Sequence, residues 1–203
     1  GRARVGDEHL GAVHDVVVAV ADGRGADALH VAPRVRLGEA ERAALLAAAR
    51  AGTATVDCSL DLERTTVTVQ VDADGWIFSA RRFPYLQRCK DRTIYHWTGS
   101  EFAPVARFTT SLIKLVPTDW GPPTFEIDGI KMLPTEHVSP YADAERKVAL
   151  IEPRGKRILD TCGGLGYFAE FCLRGKAKEI ASYEKSADVL WLRSLNPWSP
   201  RTA

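Results

Sequence analysis

The segment Arg157–Glu170, RILDTCGGLGYFAE, concentrates residues whose types and spacing could do chemistry. A short apolar run delivers Asp160, a glycine-rich loop follows at once, and a helical pattern begins. Gly163, Gly164 and Gly166 permit positive φ and let a ligand approach the backbone with no Cβ in the way. The start of the helix adds free N–H donors. Glu184 closes the next predicted strand, where a carboxylate can accept charge-assisted hydrogen bonds from ribose hydroxyls.

Two cofactors fit this pattern. Gly164, Gly166 and Ala169 satisfy G-x-G-x-x-A, as a dinucleotide site would. A pyrophosphate cradled by the loop would, however, be repelled by Asp160 just ahead of it. S-adenosylmethionine carries a cationic amino group and a sulfonium instead, so Asp160 becomes favourable, and the charge argument prefers it to NAD. The plain alternative is that the glycines only punctuate a turn in a ligand-free α/β domain.

The elements that must position these residues can be read in outline. GEAERAALLAAAR, from Gly38 to Arg50, predicts a helix: strong formers, acids in its first turn, Arg50 and Gly52 at its end. From Thr53 to Met132 the pattern turns to β. TATVDCSLDL and TTVTVQV alternate with period two, and Asp74-Gly75 predicts a turn before WIFSA. Further strands are expected at Thr93–Trp97, Val105–Thr109 and Ser111–Val116, and TFEIDGIKML reads as a hairpin with a type I′ turn at Asp128-Gly129. Ser139-Pro140 then opens a helix running to about Ile151. After the Pro153–Lys156 turn the rhythm becomes β-α-β-α: RILD, GYFAEFCLRG, EIASYE and SADVLWLRSL, stopped by Asn196-Pro197. That alternation predicts a parallel sheet. The expected organisation is a helical or irregular segment over 1–52, a β-rich module over 53–138, and a βαβα unit over 139–203.

Composition bounds the function classes. Lys plus Arg is 27 against 26 Asp plus Glu, so a net charge of +1 gives no general attraction to nucleic acid or anionic membrane. The longest apolar candidate, Val13 to Ala21, is short and broken by His14 and Asp15; neither a membrane span nor a signal peptide is expected, and a cytoplasmic protein is. The first 35 residues are Val/Ala-rich and broken by Asp22-Gly23-Arg24-Gly25, a turn signal. Cys58, Cys89, Cys162 and Cys172 lack zinc-site spacing and read as reduced thiols. His9, His14, His30, His96 and His137 are scattered, so no metal is expected. The stretch RRFPYLQRCKDR at Arg81–Arg92 sets five basic residues against one acid and could grip phosphates while Phe83 and Tyr85 stack on bases. A solvated loop with inward aromatics fits better, so nucleic acid is not the favoured partner. Trp120 before Gly121-Pro122-Pro123 reads as a packed indole in a rigid turn.

D-x-C-G-G-L-G-Y with a Glu at the second strand end looks like motif I and the acidic loop of class I S-adenosylmethionine-dependent methyltransferases. The longer stretch TFEIDGIKMLPT…SPYADAERKVALI…RGKRILDTCGGLGYFA…SYEKSADVLWLRSLNPWS resembles a predicted methyltransferase family, best known from archaea and allied to spermidine synthases. The resemblance covers roughly Leu112 to Pro200. It implies a fold of class α/β: an N-terminal, mostly antiparallel β module with one helix, then an incomplete Rossmann-like methyltransferase core. It further implies that Asp160 and the backbone of Thr161, Cys162, Gly163, Gly164, Leu165 and Gly166 hold the methionine part of S-adenosylmethionine. Glu184 then binds ribose, and Lys185 lines the adenine side. Cys162 stands where many methyltransferases have glycine. Spermidine synthases carry a Gln shortly after the hairpin Asp-Gly, whereas Ile130, Lys131 and Met132 follow here, so aminopropyl transfer is the lesser alternative.

Gly1 stands first and Met132 is the sole methionine, so a missing native start is expected. The strand that positions the acceptor in such enzymes has no counterpart in the chain. Two strands and two helices alone are expected to leave an open sheet edge with unpaired backbone donors. Either about a hundred residues, judged by typical domain size, are missing, which is the preferred expectation, or another chain completes the sheet; a homodimer through the β half belongs to the non-catalytic alternative. The expected activity is methyl transfer by a larger parent to an unidentified acceptor, with this chain inactive alone. A non-catalytic nucleoside-ligand or protein-binding module and an NAD-dependent oxidoreductase are the alternatives.

Overall fold

The computed structural model describes residues 15–16 and 35–200. The expected turn at Asp22–Gly25 and the stretches around His9, His14 and His30 lie outside the described residues. The chain is mixed α/β, with mostly antiparallel sheets and four helices among the described residues. None of these helices is long and apolar enough to cross a membrane.

The first body is built on an antiparallel meander of β3 (Thr55–Cys58), β4 (Val67–Asp72), β5 (Gly75–Phe78) and β6 (Arg81–Phe83). In β4 the period of two is literal: Val69 and Val71 point into the core, Thr68 and Gln70 out. Helix α1 (Glu39–Arg50) lies against it through Leu45 and Ala48. Its N-cap is Gly38, whose N–H donates to the Glu41 carboxylate at 2.9 Å. The first strand stops at Cys58 rather than continuing through Leu62, because Ser59 and Asp61 side chains fold the backbone into a turn.

The turn before β5 falls one residue earlier than expected. Asp72 pairs with Gly75, leaving Ala73-Asp74 as the loop. The Asp72 carboxylate sets this geometry by accepting from the N–H groups of Asp74 and Gly75. Gly75 is needed for close approach: a Cβ there would lie 2.4 Å from the Phe83 carbonyl oxygen. Arg82 meets Asp72 with two parallel hydrogen bonds of 2.7 and 2.8 Å, which hold the carboxyl down at about 2. A depressed carboxylate stabilises the fold above its unfolded pKa near ~3.9, and the contribution is lost as pH falls toward the folded value. Asp72→Asn should therefore flatten the fall in urea midpoint between pH 4 and pH 2; an unchanged acid slope would remove the pair from the account.

The Arg81–Arg92 stretch is corrected by the same contacts. Its first three residues are strand β6, not loop. Phe83 is fully buried, and Arg82 and Arg92 are paired with Asp72 and Glu126. Tyr85 is half-buried against the same apolar cluster as Phe83, while Arg81, Arg88 and Lys90 stay exposed.

β2 (Arg36–Leu37), β7 (Tyr95–Trp97) and β8 (Phe102–Pro104) form a small antiparallel sheet beside this body. A third antiparallel sheet follows, with β9 (Ala106–Phe108), β10 (Leu112–Val116), β11 (Thr124–Ile127) and β12 (Ile130–Lys131) in the order β12-β11-β10-β9. The hairpin turns at Asp128-Gly129 as expected, with φ of 49° and 83°, the two positive values a type I′ turn requires. Trp120 is half exposed, its indole N–H donating to the Thr135 carbonyl.

α2 (Pro140–Ile151) begins as expected, with the Ser139 hydroxyl accepting from the Ala142 N–H. β13 (Arg157–Asp160), α3 (Tyr167–Arg174), β14 (Glu179–Tyr183) and α4 (Ala187–Leu195) complete the chain. β13 and β14 pair in parallel, from Arg157 opposite Glu179 to Asp160 opposite Ser182. The expected open edge is that of β13, because the other side of the pair is covered. β1 (Asp15–Val16) runs antiparallel along β14 and satisfies part of its outer edge. No strand lies along the other edge of β13 among the described residues, and Leu159 there is 66% exposed.

The apolar clusters do not divide at residues 52 and 138. One joins Val35, Leu37, Leu45 and Ala48 to Val69, Val71, Trp76 and Phe83. The other joins Ile113, Leu115 and Phe125 of the third sheet to Val148, Leu165, Phe171, Ile180 and Leu192. The third sheet thus packs its inner face on the C-terminal unit, which places β11 beside the glycine loop.

Candidate functional site

Parallel pairing brings Asp160 and Ser182 side by side at the carboxyl ends of β13 and β14, and the chain turns out of the sheet on both sides of them. Asp160 is half-buried. One of its oxygens accepts from the Cys162 N–H at 3.3 Å and the other from the Ser182 hydroxyl at 2.8 Å. Its position is thus fixed by the loop that follows it and by the neighbouring strand.

Glu184 lies beyond the end of β14 and is also half-buried. Its carboxylate accepts from the Gly164 N–H and from the Ser186 N–H, both at 2.9 Å. The first of these bonds ties the glycine loop to the second strand's exit. Each carboxylate oxygen retains a second lone pair for a ligand. Asp160 and Glu184 are thereby brought to the same loop.

The three loop glycines and their neighbours do different work. Gly163 is buried, with its N–H on the Tyr183 carbonyl; a Cβ there would meet the Ser182 hydroxyl at 2.6 Å. Gly166, at φ +82°, is the N-cap of α3, and a Cβ there would fall 2.6 Å from the Arg193 guanidinium carbon. These two glycines make room for the protein's own side chains. Gly164 is different: a Cβ would find nothing nearer than 3.9 Å, with the Phe125 ring edge at 4.0 Å. Of the three, only Gly164 keeps an open side. Thr161, Cys162 and Lys185 are exposed, whereas the Leu165 side chain is in the core and its carbonyl accepts from the Ser199 hydroxyl.

Tyr167 anchors the start of α3. It is buried, donates to the Pro123 carbonyl at 2.8 Å and accepts from the Asn196 side chain at 2.9 Å. Burial pushes its phenol well above the ordinary range. The loop, the third sheet and the end of α4 are locked together through this one hydroxyl.

Sequence reasoning missed Arg193. It is 4% exposed, lies under the glycine loop, and donates to the Ser182 hydroxyl at 3.4 Å. Its Nε and one terminal nitrogen are buried without a hydrogen-bond partner. Burial lowers its pKa, opposed by the charges of Asp160 and Glu184. The available signal was spacing: Val189, Leu192 and Arg193 fall at i, i+3 and i+4, on the face that α4 turns inward.

Among the described residues, no group of three or more His, Cys, Asp or Glu side chains is placed to hold a metal ion. The arrangement offers two carboxylates, one buried cation and a loop open at Gly164, which suits a small ligand with positive charge and hydroxyl donors.

No family model matches the chain. It is similar to an uncharacterized protein of Methanocaldococcus jannaschii, with 40% identity over 107 residues, 52% of this chain. The match covers 36% of that protein's length.

Proposed function

We propose that the chain carries the cofactor-binding portion of an S-adenosylmethionine-dependent methyltransferase, with β13-α3-β14-α4 as the first part of a Rossmann-like core. The observation that carries this reading is the convergence of Asp160 and Glu184 on one glycine loop at the exits of two parallel strands. With Arg193 counted, these buried and half-buried groups carry one net negative charge, complementary to a ligand of net charge +1.

In this reading Asp160, oriented by Ser182 and the Cys162 N–H, accepts from the ligand's amino group. Glu184 accepts from the ribose hydroxyls while holding the loop through Gly164. The open side of Gly164 admits the ligand to the backbone, and the exposed Lys185 borders the adenine side. The cofactor supplies an electrophilic methyl group on its sulfonium. The protein's contribution is to hold that methyl in line with an acceptor, an orientation effect of several kcal/mol. The acceptor belongs to the whole protein and is not selected by these residues.

Isothermal titration with S-adenosylhomocysteine, beside NAD, tests the reading. Saturable binding is expected that NAD neither reproduces nor displaces. Asp160→Ala should weaken it about tenfold or more, the loss of a charge-assisted hydrogen bond. NAD binding without S-adenosylhomocysteine binding would replace this reading with the dinucleotide one, because Arg193 already offsets part of the Asp160 repulsion.

A further inference from the structure

We infer that Arg193 sets the charge of the cofactor site and positions Asp160 through Ser182, so that it governs how strongly a sulfonium ligand is preferred over its neutral thioether. The inference rests on the reading above and extends it to a residue that no part of the glycine motif contains.

The physical case begins with cost. A buried guanidinium with two unpartnered nitrogens is an unfavourable thing to keep in a core. Nothing in the packing of α4 demands it, since Val189 and Leu192 supply the helix's apolar contacts on that face. Its surroundings are specific instead. The guanidinium lies against Gly166, one of its nitrogens reaches Ser182, and the Ser182 hydroxyl donates to Asp160. The two acids that act on it electrostatically are Asp160 and Glu184, the same pair that face the ligand.

Two consequences follow from that placement. The first is positional: a serine oxygen accepting from Arg193 has its own hydrogen left to direct at Asp160, which fixes the carboxylate's orientation. The second is electrostatic. Two carboxylates alone would give the site a charge of −2 and hold a sulfonium very strongly. Arg193 reduces this to −1 from the side that the ligand does not occupy, and so narrows the difference between the charged ligand and the neutral thioether formed when the methyl leaves. A site that must exchange one for the other gains from that narrowing.

The test compares binding of S-adenosylmethionine and S-adenosylhomocysteine to the whole chain, its Arg193→Met and Arg193→Lys variants, and Ser182→Ala, with circular dichroism to verify folding. In Arg193→Met the preference for S-adenosylmethionine over S-adenosylhomocysteine should rise about fivefold, while Arg193→Lys keeps the wild-type ratio. In Ser182→Ala both affinities should fall several-fold with the ratio unchanged. A purely structural Arg193 would weaken both ligands alike in Met and Lys variants, and that result overturns the inference. If Arg193→Met does not fold, Ser182→Ala decides, and unchanged affinities there overturn it. Wild-type protein that binds neither ligand overturns the cofactor reading and this inference together; wild-type binding with an unmoved ratio overturns this inference alone.

Discussion

Gly166→Ala is expected to destabilise the protein by about 3 kcal/mol and to abolish S-adenosylhomocysteine binding. Two independent effects add. An L-residue at φ +82° is strained by about 1–2 kcal/mol relative to glycine. The new methyl would also lie 2.6 Å from Cζ and Nε of Arg193 and 2.7 Å from its second terminal nitrogen. The guanidinium end of a side chain usually yields easily, but this one is 4% exposed and enclosed, so relieving the overlap displaces α4 or the loop at about 1–3 kcal/mol. Gly164→Ala provides the contrast. It carries the backbone strain of φ +49° alone, with nothing nearer than 3.9 Å, so its stability cost should stay near 1 kcal/mol. In the proposed reading its methyl nevertheless occupies the side from which the ligand comes, so binding should be lost from a nearly intact fold. Urea midpoints and the same titration measure both. Equal destabilisation by the two substitutions would mean that Arg193 does not press on the loop.

How much of this was legible in the chain depends on how local the cause is. The start of α2 needs only Ser139 and Pro140, and the hairpin turn needs only Asp128 and Gly129; both were readable because the residues that cause them are adjacent. β6 was not. It has three residues, two of them arginines, and only Phe83 points inward, so a period of two had no room to show itself. The turn before β5 was misplaced by one residue because Gly75 suggested a positive-φ turn position. The structure uses that glycine for contact with the Phe83 carbonyl, a residue eight positions away. At the site, Asp160, Glu184 and the glycines were recognisable by type and spacing. Gly164 and Gly166 take the positive φ that glycine permits, and Gly163 does not. Gly163 and Gly166 make way for Ser182 and Arg193, and such a partner across the fold leaves no mark on the loop itself. Arg193 was hidden for a related reason: an arginine near the end of a helix ordinarily reads as a favourable charge for the helix dipole.

Trp76→Ala should be the most costly substitution in the first body, at about 3–5 kcal/mol. Trp76 is completely buried, stacks on Phe83 with ring centroids 4.5 Å apart, and lies 6.3 Å from Phe102; Phe83 and Phe102 in turn meet Trp97 edge-on. Removing the indole empties the centre of that cluster, and the surrounding strands are too tightly paired to collapse into the space. Trp76→Phe should cost far less than the lost area suggests. The indole N–H is buried with no partner, so the substitution also removes an unsatisfied donor, an offset of about 1–3 kcal/mol. A net loss below about 1.5 kcal/mol is expected, measured by urea unfolding. The cofactor titration then separates the two bodies. Trp76 and the glycine loop belong to different apolar clusters. Trp76→Ala, studied at a temperature where it remains folded, should therefore bind S-adenosylhomocysteine with wild-type affinity. A parallel loss of binding would show that the first body shapes the site directly, through the contacts of Arg36 with the Leu195 carbonyl and of Trp198 with the Leu62 carbonyl that join it to the C-terminal unit.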